Sequence, residues 1–357
     1  MIGTQAPYSL SSLSQGSSSL TRDQVVNIVQ LISALKIGVV GDACLDIYWH
    51  ADMRISELSR ETPHHNLPIT REEHSPGAAG NVAVNFSKLN CAEVSICSVF
   101  GNDWRGTLLK EKFREHVIDY SYSQTEDDRY TPTYCKSIRH GLQGVRQEDK
   151  RIDFVNRTAL TKASTLRVLK ELDRMAACVD VISVIDQVDN GVINTEILER
   201  LQYWSAQGKL IVVDSRNRIG WFRGLIVKPN EVEVVRSMNV APTPYQQESE
   251  HNMIRAGLEL STQVGKPCCI TLGDKGAVWI ENQSCTFVPT EAVAPPIDIT
   301  GAGDTFNAAF ISALGVGCSG EVAVAFAHLA AAVSIRKLDG AGTASPEAIL
   351  SRYDELL

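Results

Sequence analysis

The chain has 357 residues, 44% of them hydrophobic and 21% charged, enough to bury one large α/β core or two smaller ones. With 42 acidic against 34 basic residues the formal charge is -8, which excludes a broad cationic footprint for nucleic acid or anionic lipid. The longest apolar run, residues 323–335 with His328 inside it, is shorter than the roughly 20 residues a bilayer crossing needs, so a soluble protein is expected.

In chain order, residues 1–21 are Ser-rich with little apolar content and read as a flexible tail outside a domain spanning 22–357. Val25, Ile28, Val29, Ile32 and Leu35 then recur at helical spacing, and Ile37-Gly-Val-Val-Gly41 follows as a short buried strand. Helices are predicted over 79–89, 104–116, 163–175, 194–206 and 247–264, and strands over 94–100, 179–185, 210–214, 225–228 and 268–272. This alternation predicts an α/β fold, a three-layer, doubly wound, mostly parallel sheet with helices on both faces. Two stretches break it. Residues 47–70 are polar and Pro-punctuated, and 131–154 read as a β-prone hairpin around His140-Gly141, so both are assigned to a small β lid beside the sheet's ligand edge. Nine scattered cysteines without Cys-x-x-Cys spacing predict reduced, mostly buried thiols, a cytoplasmic home and no zinc site.

Chemistry concentrates in Asp298-Ile-Thr-Gly-Ala-Gly-Asp-Thr-Phe306, which opens a helix of small and apolar residues. Gly301 and Gly303 leave the backbone free to approach a ligand, and the N–H groups of Gly301, Ala302 and Gly303 at a helix start suit a developing negative charge. Asp304 would sit in that positive helix end, which favours its ionised form, and could accept the proton of an attacking hydroxyl. Taken alone, the motif equally fits a Gly-rich helix entry with an N-terminal Asp.

The segment resembles the C-terminal signature of the ribokinase/PfkB sugar-kinase family, and Pro76-Gly-Ala-Ala-Gly-Asn81-Val-Ala resembles the family's first signature. The resemblance runs in the family's order from about Ile37 to the C-terminus, and is nearest to the heptose-7-phosphate kinases of ADP-heptose synthesis. Supporting segments are Gly41-Asp-Ala-Cys-Leu-Asp46-Ile-Tyr-Trp49, Pro132-Thr-Tyr-Cys-Lys136, Arg146-Gln-Glu-Asp-Lys-Arg151-Ile-Asp-Phe154 and residues 337–346. The resemblance implies an ATP-dependent carbohydrate kinase with Asp304 as base and Gly301, Ala302 and Gly303 as anion hole. It implies that Asp46, Gly77 and Asn81 face the sugar, and that Glu233 acts through water on Mg²⁺ with Asn230 near the phosphates. Thr271, Gly273 and Gly276 would lie along the ATP and His328 near the adenine; a requirement for a monovalent cation is left open. Read only as residues, Asn230 is also a helix cap, 271–276 a hairpin turn and His328 a core histidine.

Several positions depart from the heptose-kinase pattern: Ala78 replaces the second Gly of the pair, Ser75 replaces an Arg before Pro-Gly, Ile185-Asp186-Gln-Val-Asp-Asn190-Gly191 is one residue longer and lacks a Lys, and Asp214-Ser-Arg-Asn217 replaces Asp-Pro-Lys-Gly. Lys136, Arg146 and Arg151 in the lid are the candidates for holding a sugar phosphate, since guanidinium offers a planar fork to phosphate oxygens. Loss of the Lys and Arg also suits a kinase of an unphosphorylated sugar or nucleoside, or a catalytically weak sugar or nucleotide sensor. No His-x-Gly-His motif occurs, so nucleotidyl transfer is not expected. Apolar lid residues Tyr134, Ile138, Val145, Ile152 and Phe154 predict a homodimer clasped through the lids.

Overall fold

The computed structural model describes residues 8–16, 20–238, 246–338 and 340–356. The chain runs through β1 (Ser14–Gln15), α1 (Arg22–Ile32), β2 (Lys36–Gly41), β3 (Ala43–Asp52), β4 (Ile69–Ala78), α2 (Ala79–Lys88), β5 (Glu93–Cys97), β6 (Val99–Gly101), α3 (Trp104–Glu115) and β7 (Gln124–Glu126). It continues with β8 (Thr133–His140), β9 (Arg146–Glu148), β10 (Ile152–Phe154), α4 (Lys162–Cys178), β11 (Val181–Asp186), α5 (Thr195–Ala206), β12 (Leu210–Ser215), β13 (Ile226–Val227) and α6 (Glu231–Ser237). The last elements are α7 (Gln246–Val264), β14 (Cys268–Thr271), β15 (Gly276–Glu281), β16 (Ser284–Pro289), α8 (Ala302–Gly315), α9 (Gly320–Ser334) and α10 (Pro346–Asp354).

Nine strands form the central sheet in the order β1-β16-β15-β14-β13-β12-β11-β2-β5, parallel except where β15 runs against β14 and β16. The continuous apolar runs seen in the sequence follow from burial on both faces. Ile37, Val39, Val181, Ile185 and Val212 face a core shared with α1, α2, α8, α9 and α10, while Val40, Ile182, Val184, Ile211 and Val213 face α4, α5, α6 and α7. Each fully buried Val, Ile or Phe contributes roughly 1.5–3 kcal/mol of transfer free energy. Small residues let α8 and α9 approach closely, with Ala308, Ala309 and Ala313 buried alongside Ala323, Ala327 and Ala330.

The expected flexible tail is corrected in part. Within residues 8–16, Leu10 is buried, Tyr8 stacks on His251, and Ser14–Gln15 adds a parallel edge strand to β16. A strand so paired satisfies backbone groups that composition alone assigns to solvent. Residues 1–7 and 17–19 lie outside the described residues.

At Asp42 the chain leaves the central sheet and continues as β3 into a second sheet of order β10-β8-β3-β4, with β9 also paired to β8. Strands β3 and β4 take up the two ends of the stretch read as a polar insertion, 47–52 and 69–70, and 53–68 is their connection. The expected hairpin arm over 145–154 is split: Ile138 pairs Glu148 but Cys135 pairs Ile152, a one-residue shift that interrupts the arm between β9 and β10. One lid face joins the main core through Leu45, Ile47 and Cys135, with Trp49 and Phe154 packed against it. Its opposite face, by strand alternation, carries Asp46, Tyr48, His50, Glu73, Ser75 and Lys136.

The apolar lid residues divide accordingly. Ile138 is 2% exposed and Phe154 lies under the Arg105 guanidinium at 3.8 Å, so both are satisfied within the chain. Val145, Ile152, Ile55, Leu58 and Leu142 remain exposed.

Candidate active site

Strands β2, β11, β12, β13 and β14 end on one side of the sheet, and the functional side chains gather there and under the lid, as open α/β sheets generally arrange their ligand sites. Asp304 lies in the first turn of α8, and its Oδ2 accepts a 2.6 Å hydrogen bond from Asn81 Nδ2 on α2. A second contact joins the two helices beside it: Thr305 Oγ1, from the residue after Asp304, donates to Asn85 Oδ1 one turn along α2 at 2.7 Å, and Asn85 Nδ2 donates to the Asn81 carbonyl at 2.9 Å. The Asn81 spacing to Asn85 places both amides on one face of α2. Asn85 was not among the residues selected from the sequence; the i, i+4 repeat of Asn in an apolar helix is the signal for it.

Gly301 occupies the left-handed region at φ +77°, and a Cβ there would come within 2.9 Å of Ala341 and 3.1 Å of Asn81 Nδ2. Tight turns consume part of the expected anion hole. The Ala302 N–H donates to the Ile299 carbonyl at 3.1 Å and the Asp304 N–H to the Gly301 carbonyl at 3.1 Å. Gly301 and Gly303 are left, among the described residues, as the N–H groups of this turn without an internal acceptor.

The electrostatics of Asp304 differ from the helix-end expectation. Enclosure away from bulk water pushes its carboxyl up to about 7, with Asp214 and Asp46 adding in the same direction, against the Asn81 hydrogen bond and Lys228. Desolvation outweighs the helix terminus, where the Ala302 and Asp304 amides are spent on the turn rather than aimed at the carboxylate.

On the lid side, Asp46 stands opposite Ser75 on β4 and Tyr134 on β8. A Cβ at Gly77 would lie 3.1 Å from its carboxyl, so glycine is what lets the two strands close over this acid. Burial raises the Asp46 carboxyl, opposed by Lys136 and Arg151. Lys136 Nζ sits 3.7 Å from Asp46 and donates to the Tyr48 hydroxyl at 3.1 Å. Arg151 forms a two-point pair with Asp153 and covers the Tyr134 ring at 4.4 Å. Both lid cations are thus engaged within the chain. Arg146 acts electrostatically on Asp298 and His50.

On the opposite side, Asn230 caps α6 in a reciprocal box: its Oδ1 accepts the N–H groups of Val232 and Glu233, and Glu233 Oε2 accepts the Asn230 N–H at 2.9 Å. Asn230 also pairs with Thr271 across β13 and β14, which brings the two predicted nucleotide segments together. Gly273 and Gly276 both have positive φ, and a Cβ at Gly276 would strike the Val288 carbonyl at 2.3 Å. His328 meets the Phe306 ring edge-on at 5.2 Å; burial holds its imidazole neutral, pushed down to about 4, and its Nε2 has no hydrogen-bond partner.

Sequence analysis does not single out Lys228 or its pairing with Asp214. Lys228, 3% exposed, pairs with Asp214 at 2.8 Å and is pushed up to about 12 by Asp214 and then Glu233 against its own desolvation. A lysine ending an apolar strand just before Pro229-Asn230 is the signal. The Glu233 carboxyl is raised by burial and by Asp214. This oxygen-only pair suits a strongly hydrated divalent ion such as Mg²⁺ held through water and phosphates. No group of three or more His, Cys, Asp or Glu able to cage a metal occurs among the described residues.

Behind the site, Asp42 accepts the N–H groups of Gln187, Val188 and Val192 at 2.9, 3.0 and 2.7 Å, and a Cβ at Gly191 would fall 2.1 Å from its carboxylate. Asp186 is taken by Ser215 and Arg218. Both acids therefore shape loops, which the sequence does not reveal.

The chain is 30% identical over 311 residues to the bifunctional protein HldE of Helicobacter hepaticus, covering 86% of this chain and 61% of that protein. It is 30% identical over 316 residues to HldE of Nitratiruptor sp., covering 88% and 64%. The chain thus spans less than two thirds of the curated relatives it matches. Among solved structures, Arabidopsis thaliana ribokinase complexed with ribose and ATP superposes with a TM-score of 0.67 at 19% identity, covering 90% of this chain and 99% of that one. Phosphofructokinase-2 from Escherichia coli in complex with fructose-6-phosphate gives 0.66 at 18%, covering 90% and 99%. These likenesses establish the ribokinase-like fold. Residues 36–348 match the family described as pfkB family carbohydrate kinase, so this chain belongs to the pfkB family of carbohydrate kinases.

Proposed function

We propose that the chain transfers the γ-phosphoryl group of ATP to a hydroxyl of a sugar phosphate resembling heptose 7-phosphate, as a cytoplasmic homodimer. The observation that carries the chemistry is the Asn81–Asp304 pair: a carboxylate oriented by an amide, enclosed, and poised near neutrality, which is what a general base for an alcohol needs. Asp46, free to sit against Gly77, accepts sugar hydroxyl hydrogens, and Lys136 favours its ionised form. The proton of the acceptor hydroxyl passes to Asp304 as its oxygen attacks, and the Gly301 and Gly303 amides face the charge that develops. Lys228 supplies a fixed buried cation near Asp214 and Glu233, on the side where Asn230 meets Thr271 and the ATP phosphates would lie. Mg²⁺, when bound through Glu233 and water, supplies charge neutralisation on the phosphates.

The heptose assignment rests on the relatives named HldE, and dimerisation on the exposed Ile55, Leu58, Leu142, Val145 and Ile152 of the lid. A coupled ADP-release assay with ATP, Mg²⁺ and a panel of free and phosphorylated sugars tests the reading. Turnover of heptose 7-phosphate well above all free sugars is expected; preference for a free sugar or nucleoside would favour the second reading, which Ser75 in place of Arg supports. No turnover of any sugar would leave a sensor.

A further inference from the structure

A cavity of about 240 Å³ lies beside the sugar site. Its walls are Tyr48 and Ser75 from the lid, Lys112 and His116 at the end of α3, and Lys337 with Ala341 from the segment after α9. Pockets that house a whole small ligand run to roughly 300–1,000 Å³, so this one fits a single substituent of a ligand whose body lies next door. The neighbour is the candidate active site. Ser75 is the cross-strand partner of Asp46, Tyr48 takes the hydrogen bond of the lysine that pairs with Asp46, and Ala341 abuts Gly301 at the start of α8.

Three side-chain atoms of the lining residues, His74 Nε2, Ser75 Oγ and His116 Nδ1, are buried without a hydrogen-bond partner, and of these His74 Nε2 has a carboxylate beside it, Glu72 at 2.7 Å. Buried polar atoms are seldom left so unless a ligand or water completes them. The cavity's charges are unevenly matched. Glu73 is paired with Arg71 at 2.7 Å and Glu115 with Lys112 at 2.8 Å, whereas Lys337 Nζ reaches only the Ala341 carbonyl, at 3.1 Å, with no carboxylate within ion-pair distance among the described residues. His116 also feels Lys88, Lys112 and Lys337 together, which with burial holds its imidazole low. With Glu73 taken by Arg71 and Glu115 by Lys112, the wall cation left without a carboxylate among the described residues is Lys337, beside the Ser75 hydroxyl and a nitrogen of the His116 imidazole.

We propose that this cavity is the subsite for the phosphate group that the sugar already carries, held by Lys337, His116 and Ser75. The assignment rests on the sugar-phosphate reading above and replaces Lys136 and Arg151 in that role, because both are engaged by Asp46, Tyr48 and Asp153. Ser75 provides both room and a donor where the heptose-kinase pattern has an arginine, and the positive charge comes instead from Lys337 in the segment after α9.

The test compares heptose 7-phosphate with free heptose at saturating ATP for Lys337→Met, Lys337→Arg, Lys136→Ala and Arg151→Ala, with inorganic phosphate as an inhibitor of the unaltered enzyme. Lys337→Met should raise KM for the sugar phosphate at least about tenfold more than KM for the free sugar, the size expected for losing a charge-assisted contact, while kcat changes little. Lys337→Arg should recover most of that loss, and inorganic phosphate should compete with the sugar phosphate but not with ATP. Equal effects on both sugars, or a phosphate-selective effect at Arg151 or Lys136 instead, would overturn the subsite while leaving sugar-phosphate kinase activity intact. Turnover confined to free sugars would sink the sugar-phosphate reading itself and the subsite with it.

Discussion

Ala78 is the residue where lid strand β4 becomes helix α2, and it is held at φ +49°, ψ −124°. Glycine reaches that region freely, whereas an L side chain pays about 1–3 kcal/mol to stay there. Its surroundings leave no alternative: Ala78 pairs with Ala43 in the lid, the Ala79 N–H donates to the Asp42 carbonyl at 3.0 Å, and Gly77 is pressed against Asp46. Ala78→Gly should therefore stabilise the protein. Taking about 2 kcal/mol of strain relieved, less about 0.7 for the freer unfolded chain and less than about 0.8 for a partly buried methyl, the net gain is about 0.5–1.3 kcal/mol. Urea unfolding followed by tryptophan fluorescence should show a higher midpoint at unchanged slope, and Ala78→Val should shift it the other way. A lower midpoint for the glycine variant, at equal slope, would refute the strain argument.

Asp304→Asn should cut kcat by roughly 10²-fold or more with ATP binding retained, measured by steady-state kinetics and equilibrium titration; near-normal turnover removes Asp304 from the mechanism. Because the ionised form must act, kcat/KM of the unaltered enzyme should fall about tenfold per pH unit below about 7, and a flat profile through that range would contradict the assigned base. The same carboxyl is raised above its ordinary 3.8, so its ionisation costs stability progressively as pH rises from there to about 7; Asp304→Asn should raise the urea midpoint at about pH 8 and much less near pH 4. Gly191→Ala would drive a methyl into the Asp42 carboxylate and should cost roughly 2–4 kcal/mol in the same assay, and a loss under about 0.5 would mean that the loop yields. Light scattering at micromolar concentration should return twice the 39.0 kDa of one chain, and Leu142→Glu with Val145→Glu should return monomer; a monomer from the start would defeat the lid contact.

Much of the central sheet was legible because strands buried on both faces must be apolar throughout and the helices between them keep a 3.6-residue period. The lid was harder to read. Strand β3 alternates Leu45 and Ile47 toward the core with Asp46 and Tyr48 toward the opening, and the polar connection 53–68 that follows hid its last residues in what looked like a polar insertion over 47–70. Helix α6 escaped notice for its brevity, although Asn230 and Glu233 spell its capping box, and β15 and β16 were hidden behind a segment read only as a turn. The residues of the site most visible in sequence are those that need glycine or a fixed spacing, such as Gly301, Gly77 and Asp304. The pairing of Lys228 with Asp214 was invisible because its meaning lies in two neighbouring strand ends meeting, a relation set by the sheet rather than by spacing along the chain.

Asp42 holds the loop after β11 only by peptide N–H groups, at Gln187, Val188 and Val192, and none of those three bonds depends on which side chains the loop carries. A tether of this kind separates where a loop runs from what it presents. Residues 187–190 can change identity, and the loop can lengthen by one residue, while its ends stay pinned to the same carboxylate. A stretch that departs from the heptose-kinase pattern is thus anchored by bonds that its side chains at 187, 188 and 192 do not set, so sequence change there leaves the anchor in place.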